Sequence, residues 1–377
     1  MAHRASSVAK WFFVPLVWLV VIASILEFTL PLLNGKFSVY FRRTIAPSAM
    51  NAEKAERFVH SRTFDPDLGW NDVVARHYVA AKSYLAQAYG DSFVRGDGVG
   101  AEDSWEAHFE RITGDSIMNS GVGGYGLDQA VLKFEKYGRR YPTRIAVLGL
   151  YPEMYRRDLS YHSFYYFPNN EAFAFAFKPL FVRTNEHFEL IRPPCKDAAC
   201  LMKVFSSSNH DVWRRVAKYD YWYRVNEQKP EPGFPNTIKY AQVLRELARE
   251  RREHHGKENY FFVGAGALEL SQHLIQRFAD DSRQMGMTPV CVMLYSADDL
   301  RVIKAGVRFD DALLKFLEAK GIPYIDTAQY ILSHYGDNDR FEGLTVSRSD
   351  RHLSSRGNFM VAEALARGLG SMALLKH

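Results

Sequence analysis

From Ile145 to Tyr151 the chain reads Ile-Ala-Val-Leu-Gly-Leu-Tyr, apolar at every position, and no other local pattern constrains the fold as much. A strand with one wet face alternates apolar and polar residues. An unbroken apolar run fits a strand covered on both faces, as in a parallel sheet with helices above and below it. The surrounding sequence agrees. Short runs with strand character recur at Ser83 to Tyr89, Ile117 to Asn119, Val290 to Tyr295 and Ile322 to Ile325. Between them lie stretches with apolar residues at helical spacing. One holds Trp105, Phe109 and Ile112, with Asp103 as the expected N-cap and Gly114 as its stop; another holds Leu127, Val131 and Phe134 and stops at Gly138. Others are Ala267 to Phe278, Phe309 to Ala319 before Gly321, and a last helix with Phe359, Ala362, Ala366 and Leu369 on one side. Strands alternating with helices at this spacing require right-handed crossovers, so an α/β domain with a mainly parallel central sheet is expected over residues 71–377.

The alternation pauses between about 155 and 258, which reads as an insertion or cap. It contains the aromatic cluster Tyr161 to Phe167, the alternating run Ala172 to Phe177, the proline-rich Lys229 to Pro235 and a charged helix from Thr237 to His255. Its aromatics either pack among themselves or stack on sugar rings. His254-His255 reads as a solvated helix end, and no Cys/His spacing elsewhere has the form of a zinc site, so neither metal nor cofactor is expected. Cys195 and Cys200 flank a short loop after Pro193-Pro194. They are either two free thiols or a small disulfide of an oxidising compartment, while Cys291 reads as a buried strand residue.

Ahead of the domain, residues 1–10 form a short tail and Trp11 to Leu33 is a 23-residue apolar stretch flanked by Arg4, Lys10, Lys36, Arg42 and Arg43. At about 1.5 Å per residue it is long enough to span a bilayer, and no Ala-x-Ala-like cleavage site follows it. A retained, single-pass signal anchor over residues 11–33 is expected, with the domain outside the inner membrane of a bacterium, on the periplasmic side. Residues 34–70 read as a connector with a short helix near Ala49 to Arg57. The net charge of +5 is spread over the chain without a basic block, so nucleic acid is not an expected partner.

The chemistry concentrates at two distant places. Tyr89-Gly90-Asp91-Ser92-Phe93-Val94-Arg95 follows the first strand, and Asp350-Arg351-His352 precedes the last helix. Loops at the carboxyl ends of parallel strands converge, so a serine on the first such loop and a histidine before the last helix can meet there. Ser92 would attack, His352 would take its proton and return it to the leaving group, and Asp350 would hold the imidazole tautomer. A second Gly-Asp-Ser, at Gly114 to Ser116, precedes a strand and so lies at the wrong edge of the sheet. The glycine-rich Gly121 to Gly126 fits neither the dinucleotide nor the Walker pattern, and the Gly-x-Ser-x-Gly elbow is absent at Ser92.

Tyr89-Gly-Asp-Ser-Phe93, Asn119-Ser-Gly-Val-Gly-Gly-Tyr-Gly126 and Ser349-Asp-Arg-His-Leu-Ser354, in this order, resemble the blocks of the SGNH hydrolase superfamily of GDSL-type esterases, over about residues 78–152 and 260–370. The resemblance implies a three-layer αβα sandwich of SGNH or flavodoxin-like form and a catalytic triad of Ser92, Asp350 and His352. It also implies oxyanion donors from the backbone N–H groups of Ser92 and Gly124. Gly124 is preferred to Gly123 because it aligns with the glycine after the Asn-x-x-x-x spacing of its block. One block departs from the pattern. Where the family carries an asparagine donor in a Gly-x-Asn-Asp motif, this chain reads Leu148-Gly-Leu-Tyr-Pro-Glu-Met154 and places Glu153 near the donor's position. An ionised glutamate cannot donate to an oxyanion.

The expectation is a serine esterase working through an acyl-serine intermediate on O-acyl groups of a cell-envelope carbohydrate, in the company of envelope polysaccharide machinery. Two alternatives stand beside it. One is an O-acetyltransferase with the same triad; the other is a non-catalytic module of the same fold that binds a polysaccharide or a membrane-protein partner.

Overall fold

The computed structural model describes residues 17–33, 40–44, 51–61, 63–72, 82–167, 175–185, 187–206, 210–253, 266–335, 341–347 and 349–375. Two compact units divide the chain, one from residues 1–49 with 222–256 and one from residues 50–221 with 257–377.

In the smaller unit, residues 17–29 are helical. The Glu27 carboxylate accepts hydrogen bonds from the Thr237 N–H and hydroxyl, both at 2.9 Å, at the start of the helix Asn236–Glu253. Phe41 meets Tyr240 edge-on with ring centroids 5.3 Å apart. The expected membrane span finds no support here. Among the described residues no helix is long and apolar enough to cross a membrane. Residues 11–16 of that stretch lie outside the described residues, as do His254, His255 and residues 172–174 of the run from Ala172 to Phe177. The second half of the expected insertion, from residue 222 on, groups with the amino-terminal residues rather than with the sheet.

The larger unit holds, in order, the short pair β1 (Phe64–Asp65) and β2 (Gly69–Trp70), then β3 (Ala86–Tyr89), α1 (Ser92–Arg95), α2 (Trp105–Thr113), β4 (Ile117–Asn119), α3 (Leu127–Tyr137), β5 (Ile145–Leu150) and α4 (Pro152–Arg157). The insertion contributes β6 (Leu180–Thr184), β7 (His187–Ile191), α5 (Ala198–Phe205) and α6 (His210–Tyr219). The chain then returns through α7 (Ala267–Gln284), β8 (Thr288–Met293), α8 (Ala297–Lys304), α9 (Asp311–Ala319), β9 (Tyr324–Asp326), α10 (Thr327–Tyr335) and α11 (Ser355–Ser371).

Five strands pair in the order β4-β3-β5-β8-β9, every ladder parallel. The apolar run supplies the centre: β5 is buried at every residue, with Ala146 opposite Gln87 on one side and Pro289 on the other. From β3 the chain steps first to β4 and then back across β3 to β5. Right-handed crossovers in opposite directions put α2 on one face and α3 on the other. Accordingly α3 packs with α7, and α2 packs with α11, which also meets α10. Tyr89 and Phe278 both meet Phe134 of α3, at 5.2 and 4.8 Å between ring centroids.

Some local expectations shift by a residue or two. Ser104, not Asp103, sits at the N-cap position of α2, and Asp103 instead accepts a 2.6 Å hydrogen bond from the Ser355 hydroxyl. Within the expected connector, Leu68 and Trp70 belong to the core. The insertion's aromatics pack on one another. His162, fully buried, lies within 4.4 Å of the Phe177 ring centroid and 5.6 Å of Trp213. Cys195 and Cys200 are joined in a disulfide with their Cα atoms 5.3 Å apart, and Cys291 is free and buried in β8.

Candidate active site

The order β4-β3-β5 reverses at β3, and the crevice outside the carboxyl ends of β3 and β5 is where open α/β sheets receive ligands. Both residues named from sequence at these ends, Ser92 and Glu153, are there, on the first turns of α1 and α4.

The turn from β3 into α1 is tight because three glycines leave room for it. A Cβ on Gly90 or Gly149 would lie 2.3 or 2.1 Å from Val94 Cγ2, and one on Gly121 would lie 2.5 Å from the Arg95 nitrogen. The Val94 side chain therefore sits on bare backbone. Asp91 caps α1, its Oδ1 accepting from the Phe93 N–H at 2.9 Å. The other carboxylate oxygen meets Arg157 Nη1 of α4 at 2.8 Å, and the same nitrogen donates to the Tyr125 carbonyl at 2.9 Å. Asp91 and Arg157 are both buried. Burial pushes the Asp91 carboxyl up, with the Arg157 charge opposing it. Ser92 follows this cap and is 5% exposed.

The glycine turn after β4 runs beside α1. Asn119 is consumed in holding it: its amide donates to the Val94 carbonyl at 2.6 Å and to Glu106 at 2.9 Å, while its Oδ1 accepts from the Gly121 N–H. Val122 donates to the Gly90 carbonyl at 3.1 Å. Gly124 adopts φ +77°, a left-handed conformation that favours glycine. Trp70 braces this turn, donating from its indole N–H to the Gly123 carbonyl at 3.0 Å and accepting from the Tyr125 hydroxyl at its own carbonyl at 2.6 Å. Sequence reading missed Trp70 as a support; the apolar Leu68 and Trp70 around Gly69 were the available signal. Among the described residues, no backbone hydrogen bond is donated by the N–H groups of Ser92 and Gly124.

At the other end of the chain, the described residues 345–347 and 349–353 form a closed segment, with Thr345 bridged to Leu353 and Val346 donating to the His352 carbonyl at 2.9 Å. Within it Asp350 Oδ1 lies 2.6 Å from His352 Nδ1 and accepts from the His352 backbone N–H at 3.1 Å. Burial raises the Asp350 carboxyl, but the two hydrogen bonds and the charge of His352 outweigh it and hold the group below its ordinary value. The loop reaches the serine's neighbourhood. The Phe93 ring stacks on Tyr151 at 3.7 Å and lies 5.6 Å from the His352 ring. A Cβ on Gly98, just past α1, would lie 3.2 Å from His352 Cβ. No hydrogen bond among the described residues joins Ser92 to His352; such contacts often tighten only when substrate is bound.

Glu153 is half-buried and already has partners. It accepts from the Tyr166 hydroxyl and, at 3.5 Å, from Arg156. Burial raises its carboxyl, and Arg156, Arg157, the Tyr166 hydrogen bond and Arg351 together overcome this and keep it low. It is thus an acceptor at neutral pH, and protonation does not rescue it as a donor. Asp299, which sequence reading did not single out, is buried nearby on α8; burial pushes it up to about 6 against the Ser296 hydrogen bonds. A polar pocket of about 220 Å³ opens between Ser296 to Arg301 and the loop residues Thr345, Ser347 and Arg351. Among the described residues no group of three or more His, Cys, Asp and Glu side chains is placed to hold a metal ion.

No protein-family model and no curated protein matches this chain. Solved structures do. A member of the lipolytic protein G-D-S-L family from Veillonella parvula is 10% identical with a TM-score of 0.34, covering 75% of this chain and 96% of its own. A psychrotrophic esterase from a Pseudoalteromonas species is 8% identical with a TM-score of 0.36, covering 76% and 97%. A catalytic mutant of an acetylxylan esterase from Geobacillus stearothermophilus is also 8% identical at 0.36, covering 78% and 97%. Likenesses at this level assign neither chemistry nor substrate to this chain.

Proposed function

We propose that the chain is a serine esterase in which Ser92 is the nucleophile, His352 the general base and acid, and Asp350 the group that orients His352. The observation that carries this reading is the 2.6 Å contact between Asp350 and His352 Nδ1, on a loop whose His352 ring lies 5.6 Å from the ring of Phe93, the residue after Ser92. The carboxylate fixes the proton on Nδ1, which leaves Nε2 as the base. Ser92 attacks the ester carbonyl carbon and passes its proton to His352. The carbonyl oxygen becomes an oxyanion held by the backbone N–H groups of Ser92 and Gly124. Collapse expels the alcohol, which takes the proton from His352, and leaves an acyl-serine. Water then repeats the sequence and releases the acid.

Two backbone donors without a third side-chain donor make a weaker oxyanion hole, and one missing donor typically costs about 10² to 10³ in rate. Slow turnover is expected. The proposed substrate is an O-acyl group on an envelope carbohydrate, and the disulfide Cys195–Cys200 supports a position in an oxidising, extracytoplasmic compartment. If a sugar hydroxyl replaces water in the second step, the same residues perform acyl transfer.

Incubation with an activated acetyl ester, followed by peptide mass mapping, should find acetyl on Ser92, and Ser92→Ala should abolish turnover. Absence of both label and turnover would leave the non-catalytic binding module as the better account. Full activity in Ser92→Ala would move the nucleophile elsewhere.

A further inference from the structure

The insertion carries a cleft that this chemistry does not use. It encloses about 630 Å³ between the end of β7, with Pro193 and Pro194 after it, and the outer side of α6. Arg192, Arg214, Arg215 and Lys218 line it against a single carboxylate, Glu189. The helix makes the pattern: Val212 and Val216 are buried, while Arg214, Arg215 and Lys218 are exposed. Arg214 and Lys218 are four residues apart, a spacing at which like charges destabilise a helix. A local conflict that folding does not repay is expected where a surface serves a ligand.

The available counter-charges are weak. Arg214 pairs with Asp211 at 2.8 Å and Arg192 with Asp67 at 3.7 Å, and all of these side chains are solvent-exposed to an extent that water and salt screen them. Arg215 and Lys218 have no carboxylate partner among the described residues. Arg215 stands beside the Tyr161 hydroxyl, which burial pushes up to about 12 while the guanidinium pulls it down. That hydroxyl donates to the Arg192 carbonyl at 2.8 Å, so one buried tyrosine ties the two walls of the cleft together. Lys218 Nζ is 4.7 Å from the Tyr219 ring centroid. The cations thus alternate with flat apolar surface from Tyr219, Pro193 and Pro194. Directly after Pro194, the disulfide Cys195–Cys200 staples the chain.

We propose that this cleft binds a carboxylate-bearing glycan chain. Guanidinium forks match carboxylates in a planar, two-bond geometry, and tyrosine and proline faces suit the C–H faces of sugar rings. Cations on both walls suit a repeating anion better than a single one. The disulfide points to an oxidising compartment, where nucleic acid is not the resident polyanion. The inference rests on the esterase reading only in taking the polymer to be the glycan whose ester groups Ser92 would attack. Holding that polymer would raise the local concentration of ester groups without any new contact at the serine.

The test uses the full chain carrying Ser92→Ala, so that turnover cannot obscure binding. It is titrated with oligogalacturonate and with neutral dextran of matched length, at low and at physiological salt. Oligogalacturonate should bind, dextran should not, and added salt should weaken the complex. Arg214→Ala with Lys218→Ala, both exposed, should weaken binding by about tenfold or more. The same pair in the chain with Ser92 intact should hydrolyse a small neutral ester at the unchanged rate. Equal affinity for dextran, or unchanged affinity in the double variant, overturns the proposal. So does tighter binding of single-stranded DNA or of phosphatidylglycerol vesicles, which would give the cleft to another polyanion. Oligogalacturonate binding with no ester turnover would sink the Ser92 reading and leave the cleft standing.

Discussion

Replacing Arg157 by methionine removes the cation behind the β3 to α1 turn and leaves the Asp91 carboxylate without its counter-charge. The pair is 2.8 Å apart, with Asp91 at 0% and Arg157 at 8% exposure, so water cannot replace the lost partner. Breaking a buried pair from one side costs about 3–5 kcal/mol, a large part of the roughly 5–15 kcal/mol that holds a domain together. The penalty has a sign in pH. Burial already raises the Asp91 carboxyl against the pull of Arg157, so between the ordinary carboxylate value and the raised one the native state binds more protons than the unfolded state. Stability therefore falls as pH rises through that window. Without Arg157 the folded value climbs further and the window extends upward. Arg157→Met should cost little in acid, where Asp91 is protonated in both states, and progressively more toward neutral pH. Urea unfolding followed by circular dichroism, repeated across mildly acidic to neutral pH, measures this. Adding Asp91→Asn removes the stranded charge, keeps an acceptor for the Phe93 N–H and should recover much of the loss. A cost below about 1 kcal/mol at neutral pH, or one that does not change with pH, would refute the reasoning.

Three further outcomes are expected. Asp350→Asn removes the carboxylate that His352 and its own backbone hold below the ordinary value, and kcat should fall on the order of 10⁴ with circular dichroism unchanged. Glu153→Gln replaces an ionised acceptor by a group that can donate, and kcat should rise, by up to about 10² if the side chain faces the oxyanion; an unchanged kcat would show that it does not. Lys178, buried against Asp128, also has the buried Asp158 nearby, which burial and Asp128 push well up. Lys178→Met should cost about 3–5 kcal/mol in chemical denaturation, and Asp128→Asn in the same chain should restore part of it.

How far the site could be read in advance varied with how local its determinants were. The β3 to α1 turn was legible because Gly90, Asp91 and Ser92 are contiguous and their requirements are local: a glycine under Val94, a cap, a serine after it. The Asp350–His352 contact was legible for the same reason, since two residues on one loop settle it. The insertion was harder. Its aromatic cluster reads the same whether the rings stack on sugars or on each other, and only their mutual burial around His162 decides. Arg157 gave no sequence signal of its role, because it acts through a contact with a residue 66 positions away. Such contacts leave no spacing to recognise.

From its sequence alone this chain was bound to form a parallel α/β sheet: unbroken apolar strands need cover on both faces, and the helices between them carry a single apolar side. The sequence also placed Ser92 just after a strand of the sheet and Asp350 and His352 just before the last helix. Tertiary structure decided the rest. It paired Asp91 with Arg157, spent the Asn119 side chain on the glycine turn, kept Glu153 ionised through Arg156, Arg157, Tyr166 and Arg351, and gathered Arg192 and the α6 cations on one cleft. Charge and hydrogen-bond state depend on what lies within a few ångströms in space, and only the folded chain determines that neighbourhood.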